Sequence, residues 1–335
     1  MSSDPNALKV VKELGRNQEV LFSIARVPNS HRLFVGSSNG KVYDVNPLAE
    51  KPEFKEFEGH QSYVMGLALC GNRLISGSYD CKLIWRDIET GQIVRTVENA
   101  HSKWIRGLTA SPDGKLVASV ADDMACKLWN AESGELVKEL RGHAPQTPQN
   151  FPSMLFACNF SADGKLLATC DKVGHVIVWN VEEGKQISAV DAPLLYTWDP
   201  KARIHSIGGA RSVAFSPDGK LLAVGGTGQI GNIDHLEALA RLEVFDWEKK
   251  ERTHEFPGDT YKGLVQRLAF EPSGKWLACA GGDGGGFLKF IDLSEKKVIK
   301  QDKAPMTVHA FVFDETFETL YAAGHGKLAV WELKG

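Results

Sequence analysis

The chain has 335 residues, of which 43% are hydrophobic and 24% charged, proportions of a globular protein that exclude a disordered or fibrous chain. Thirty-nine Lys and Arg stand against 42 Asp and Glu, a net charge of −3, so the overall positive charge of a nucleic-acid binder is missing. The opening MSSDPNALKV has no basic segment followed by an apolar run, and no stretch approaches the ~18 apolar residues of a membrane span; the cytoplasm is the expected compartment, with no membrane partner.

The six cysteines, Cys70, Cys81, Cys126, Cys158, Cys170 and Cys279, form no Cys-x-x-Cys pair, so neither a disulfide scaffold nor a thiolate zinc site is indicated and they read as small, mostly buried side chains. Ten histidines are scattered without an H-E-x-x-H motif, and no metal is expected. The sequon Asn159-Phe160-Ser161 lies in a strand-like run that leaves no room for a glycan.

In chain order, a strand-like segment Val10 to Leu14 (VVKEL) comes first, followed by Gly36-Ser37-Ser38-Asn39-Gly40 and the strand KVYDV. The glycines there match the G-x-S-x-G nucleophile pattern, but that pattern needs a strand-to-helix elbow, and a hairpin turn accounts for them. A turn then recurs as SPDGK at 111–115, SADGK at 161–165, SPDGK at 216–220 and EPSGK at 271–275, each leading into a short apolar run. Pro presets the turn and Gly takes the positive φ that follows, so each element predicts a hairpin. A second run then ends in an aromatic marker: Tyr43, Trp85, Trp129, Trp179, Phe245, Phe290 and Trp331, separated by 42, 44, 50, 66, 45 and 41 residues. Seven repeats of four strands follow from that period. Insertions at about 144–152, 193–209 and 227–239 explain the long intervals. Only Asp234 to Arg241 has helical character. Gly226-Thr227-Gly228-Gln229-Ile230-Gly231 matches G-x-G-x-x-G but interrupts an antiparallel repeat, without the parallel βαβ unit a dinucleotide site needs, so a flexible or partner-contacting loop is the better reading. The run Gly281 to Gly286 is read as a mobile turn of the sixth repeat.

These residues resemble the WD-repeat β-propellers. Gly59-His60, Gly142-His143, the variant Ala100-His101, and the pairs Trp129-Asn130 and Trp179-Asn180 look like that family's signature dipeptides, with Tyr43-Asp44 and Phe245-Asp246 as near matches, over almost the whole chain from about Val10 to Gly335. The resemblance implies an all-β fold, a single seven-bladed β-propeller over 1–335 with four-stranded antiparallel blades. It also implies closure: the chain stops after the third-strand run KLAVWEL, so the N-terminal strand at about 10–14 completes the last blade.

Each repeat with a full set of polar residues places His before the first strand, Ser on the second, Asp in the next turn and Trp on the third: His60, Ser76, Asp80, Trp85 and His101, Ser119, Asp123, Trp129. Ser, His and Asp together suggest nucleophilic catalysis. The resemblance implies instead a structural hydrogen-bond network tying the loop to the third strand, and its repetition argues against an active site. The fourth repeat has His143, Thr169 and Trp179 but Val173 where Asp would stand; the first, fifth, sixth and seventh lack more, which leaves apolar packing to hold them.

Because strands alternate direction in a meander, all three insertions emerge on one face, in one sector. The 193–209 loop supplies Leu194, Leu195, Tyr196, Trp198, Arg203 and His205, side chains of the kind enriched in binding hot spots; packing of its aromatics onto the blade edges is the competing reading. Aligning the innermost strands by the turn that ends each one puts Phe22, Met65, Arg106, Phe156, Arg211, Gln266 and His309 at equivalent positions near the mouth of the central channel, with Tyr63, Trp104 and Met154 two residues earlier at the rim. Two arginines among apolar groups suit a peptide with an acidic or hydrogen-bonding side chain and an apolar anchor; pairing of those arginines with nearby acidic residues is the alternative. The sequence thus reads as a non-catalytic protein-interaction scaffold, monomeric by itself, that binds a protein or peptide on the loop-elaborated face and channel mouth without cofactor, metal or nucleic acid. The alternative is a propeller enzyme or small-molecule binder using the channel mouth and the loops of repeats four and five.

Overall fold

The recurring turn closes on its own side chains. Ser111 Oγ donates to Asp113 Oδ1 (2.6 Å) and accepts the Leu116 N–H (2.9 Å), Asp113 Oδ1 accepts the Lys115 N–H (3.1 Å), and Gly114 sits at φ +69°. Ser161–Asp163 and Ser216–Asp218 repeat the pattern. The side chains bond the backbone locally, so each of these three turns is held by its own residues.

The computed structural model describes residues 3–199, 205–231 and 237–334. Regular structure among them is β-strand, apart from the 3-10 turns Pro5–Ala7 and Pro193–Leu195. Repeats two to six each form a four-stranded antiparallel sheet; the second runs Val64–Cys70, Arg73–Ser78, Leu83–Asp87 and Ile93–Val97. Apolar residues on both sheet faces bury themselves against the neighbouring repeat. Trp85 and Trp129 lie between the second and third repeats, Val178 and Phe215 between the fourth and fifth, and Trp331 with Phe290 between the sixth and seventh. The molecule is an all-β propeller of four-stranded antiparallel blades.

It has six blade sheets where seven were expected. The first and last repeats share one six-stranded sheet, ordered Val308–Phe313, Thr319–Glu332, Lys9–Arg26, Leu33–Ser37, Val42–Val45, Lys55–Phe57. The cause is strand length. Lys9–Arg26 runs on for 18 residues, pairing first with Lys327–Glu332 and then, from Leu21, with Leu33–Ser37. The expected segment Val10–Leu14 therefore sits beside Leu328–Trp331, and the same strand continues inward to line the channel. An Asp234 to Arg241 helix does not form over its described residues: Leu239 bridges Lys262, and Ala240 opens the strand Ala240–Asp246, which is paired on both edges. Tertiary pairing here overrides helical propensity. Residues 234–236 of that expectation lie outside the described residues.

Candidate interaction site at the channel mouth

Among the described residues, three repeats contain a histidine-centred network. In the third, His101 Nδ1 is 3.1 Å from Asp123, its Nε2 is 2.7 Å from Ser119 Oγ, and the Trp129 indole donates to that same hydroxyl (2.8 Å). In the second, His60 lies 3.0 Å from Asp80 and 2.9 Å from Ser76, but the Trp85 indole departs from the expected set and donates to the Ala131 carbonyl of the next repeat (2.9 Å). Trp85 packs edge-on against Trp129, which turns its N–H away from Ser76. The fourth repeat completes its network with a residue the fixed spacing overlooked: Asp171, two positions before Val173, binds His143 Nδ1 (3.0 Å), while Thr169 takes His143 (2.8 Å) and the Trp179 indole (2.8 Å).

Burial opposes ionisation of Asp80 and Asp123, yet the histidine contacts and two backbone amides outweigh it and hold both carboxyls below the usual range. Burial pushes His101 down, so the neutral ring donates from Nδ1 to a charged Asp123. The order Asp, His, Ser is that of a hydrolase triad. Ser119 and Thr169 are nevertheless 0% exposed and Ser76 5%, so no substrate reaches the hydroxyls.

Two repeats expected to rely on apolar packing have polar networks of their own. In the first, Glu19 accepts from Ser37 Oγ (2.8 Å) and Tyr43 OH (2.9 Å) and pairs with Arg16 (2.6 Å). In the fifth, the fully buried Glu243 pairs with Arg241 (2.8 Å) and Arg252 (3.3 Å).

The positions aligned by sequence, Phe22, Met65, Arg106, Phe156, Arg211, Gln266 and His309, all line one cavity of about 370 Å³. Each is also the extra residue of a β-bulge: the pairing register of every innermost strand skips that position. A bulge re-aims one side chain out of the pleat, and here seven bulges aim seven side chains at the channel. The aromatic groups continue around the rim. Phe22 contacts His309 and Tyr63 (centroids 5.0 and 5.3 Å), Tyr63 contacts Tyr79 (5.5 Å), and Tyr79 stacks on Trp104 (4.6 Å, 7°). Trp104 is 51% and Tyr63 43% exposed. Met154 joins the same cavity wall.

The two mouth arginines differ. Arg106 is held bidentately by Asp122 (2.7 and 2.7 Å), donates to Tyr79 OH, and its guanidinium lies over the Tyr79, Trp104 and Phe156 rings. Arg211 lies 3.7 Å over the Phe156 ring and donates to the Ala210 carbonyl (3.0 Å). Burial, reinforced by Arg106, lowers Arg211 to about 10; burial and the same two arginines lower Lys172 to about 8. Lys172 ties the mouth to the 193–209 insertion through Ser206 Oγ (2.7 Å).

That insertion is the turn Pro193–Leu195 followed by the hairpin Tyr196–Asp199 and His205–Gly208. Leu195 is fully buried in the core between repeats four and five, Tyr196 is half-buried, and Trp198 is 42% exposed. Thr197 Oγ1 accepts the Ile230 N–H (2.9 Å), which joins this insertion to the one at 227–239. Arg203 lies outside the described residues. Gly226 and Thr227 belong to the strand Leu221–Thr227, as befits a loop leaving an antiparallel sheet. The free cysteines are buried except Cys81, which is half-buried. Among the described residues no cluster of His, Cys, Asp and Glu has metal-site geometry and no helix is long and apolar enough to cross a membrane.

The sequence profile described as "WD domain, G-beta repeat" matches residues 51–86, 91–130, 201–230 and 250–285. Apoptotic protease-activating factor 1 of Rattus norvegicus is 31% identical over 175 residues, 52% of this chain and 13% of that protein. Telomerase protein component 1 of Mus musculus is 26% identical over 262 residues, 78% of this chain and 9% of that protein. This chain thus spans a small fraction of both. A guanine nucleotide-binding protein subunit beta-like protein of Encephalitozoon cuniculi (strain GB-M1) is 24% identical over 302 residues, 85% of this chain and 84% of that protein. The chain carries the WD repeat in four places and is a WD-repeat β-propeller.

Proposed function

We propose that the chain is a non-catalytic scaffold that holds a protein or peptide partner on the channel mouth and the adjoining loops of repeats four and five. The observation that carries this reading is the ring of seven bulged residues bordered by the exposed Tyr63 and Trp104. Aromatic side chains with few rotors, set on a closed β framework, bind without a large ordering cost. Burial of the Ser, His and Asp sets supports the absence of catalysis. The reading includes a monomeric, cytoplasmic chain without cofactor, and the net charge of −3 disfavours nucleic acid.

Arg106 is tied to Asp122, so charge reversal there would damage the blade; the exposed aromatics make the cleaner test. Affinity capture from the native lysate compares wild type with the Tyr63→Ala, Trp104→Ala double variant, both first shown to melt alike. A partner retained by wild type and reduced about tenfold or more by the variant is expected; equal retention would move the binding face away from the mouth. The cavity itself favours a second reading, a small molecule held in the channel, and a ligand co-purifying with the chain in native mass spectrometry would carry it.

A further inference from the structure

One step past the bulge, six of the seven innermost strands carry Gly, Ala or Ser, and the seventh carries Arg267. Ser23 and Ser212 turn their hydroxyls onto the carbonyls of Val64 and Val265 in the neighbouring strands. Arg267 therefore projects into a space that the other repeats leave open. It lines the same cavity as Arg211, and its guanidinium lies near the Cys158 thiol on the fourth repeat. Arg267 has no hydrogen-bond or ion-pair partner among the described residues, and Arg211 has only the Ala210 carbonyl and the Phe156 face. The nearby carboxylate, Asp122, is already taken bidentately by Arg106. The cavity thus contains two guanidinium groups without an ion-pair partner among the described residues, Arg211 half-buried and Arg267 exposed. Two unpaired guanidinium groups lining one cavity can both donate to a single oxyanion, and charge-assisted guanidinium contacts to a carboxylate or phosphoryl group are strong.

We propose that the channel between Arg211 and Arg267 receives the anionic side chain, carboxylate or phosphoryl, of a peptide docked on the mouth. The proposal rests on the scaffold reading and names the chemistry of its partner. Charge complementarity selects the anion, and the exposed rings of Tyr63 and Trp104 at the rim select a ligand with apolar residues beside it. Arg106 is a positioning residue in this arrangement: its charge is neutralised by Asp122, and its stack with Phe156 and Tyr79 fixes the wall on which Arg211 lies.

The test uses the full chain as wild type, Arg211→Gln, Arg267→Gln and, as a control, Lys115→Gln in an exposed turn. An array of nine-residue peptides, random in their flanks, presents Glu, phosphoserine, Gln or Lys at the centre. Wild type and the control should retain Glu or phosphoserine peptides about tenfold over Gln peptides, and each Arg variant should lose that preference while melting no lower than wild type. A wild type that does not distinguish Glu from Gln, or a preference that survives in both Arg variants, overturns the proposal. If no peptide is retained, the scaffold reading at the mouth fails, and thermal melting with inorganic pyrophosphate against chloride at equal ionic strength separates the remaining cases. A pyrophosphate shift lost in both Arg variants makes the channel a site for a free oxyanion and removes the peptide as its source; no shift removes the site.

Discussion

Asp171 shows how one carboxylate can replace another in the same network. Its Oδ2 holds His143 while its Oδ1 accepts the Val173 and His175 amides, at 2% exposure. Asp171→Ala strands a buried imidazole N–H and two amides, and about 3 kcal/mol of stability should be lost in urea unfolding, with Asp171→Asn losing less because it keeps an acceptor. Equal effects of the two variants would deny the carboxylate its role. The sequence hides this residue because the Ser-to-Asp spacing of repeats two and three points to Val173, whereas a carboxylate two positions nearer reaches the same nitrogen by a different turn. His309 supplies a second test. Burial, then its neighbour His325, lowers it to about 4, and its Nε2 has no hydrogen-bond partner. Between its ordinary value near 6.5 and about 4 the unfolded chain binds the extra proton, so stability falls as pH drops through that window. His101 acts with the same sign, and the lowered Asp80 and Asp123 add further loss below their ordinary values near 4. His309→Gln should flatten the melting temperature between pH 6.5 and 4.5; an unchanged slope would show that His309 does not titrate as a buried neutral ring.

At the scale of the strand, each bulge depends on what stands opposite. Gly281 pairs with Val265 just before the bulged Gln266, and a Cβ at Gly281 would lie 1.8 Å from the Leu264 carbonyl oxygen. Backbone meets backbone there, so no rotamer change relieves the clash. Gly281→Ala is expected to cost about 3 kcal/mol or more, while Gly285→Ala, with nothing within 4 Å, stays within about 0.5 kcal/mol; similar midpoints for the two in chemical unfolding would refute the close-packing argument. The Gly281 to Gly286 run is accordingly two strand ends around a short turn rather than one long turn: Leu277–Gly282 closes on it and Gly286–Asp292 opens from it. The strands themselves were legible because Ser, Asp and Gly in each turn bond locally, and counting back from those turns found the bulge positions without knowing they were bulges. Arg267 was missed by the same count: it stands one residue further on, where strict alternation points a side chain away from the channel, and only the extra residue of the bulge turns it back.

For the whole molecule, the number of repeats and the number of sheets part company because one long strand serves two repeats. The aromatic period counts repeats; it contains no signal for a strand that continues through a register shift between Gly15 and Val20. The consequence is mechanical. Lys9–Gly15 covers the edge of Lys327–Glu332, Leu14 packs on the cluster with Tyr321, Leu328 and Val330, and Glu13 pairs with Lys327 at 2.7 Å. The innermost strands contact one another in succession, and the last returns to Lys9–Arg26, so this strand joins the two ends of the ring both at its outer margin and at the channel. Deleting residues 1–15 would leave an unpaired strand edge and open the joint between the first and last repeats. The expected result is a melting temperature lower by about 5 °C or more, with far-ultraviolet and near-ultraviolet circular dichroism still falling together, because loss of the joint weakens the ring as one cooperative unit. If the truncated chain melted where the full chain does, the shared sheet would be a geometric accident rather than the closure of the propeller.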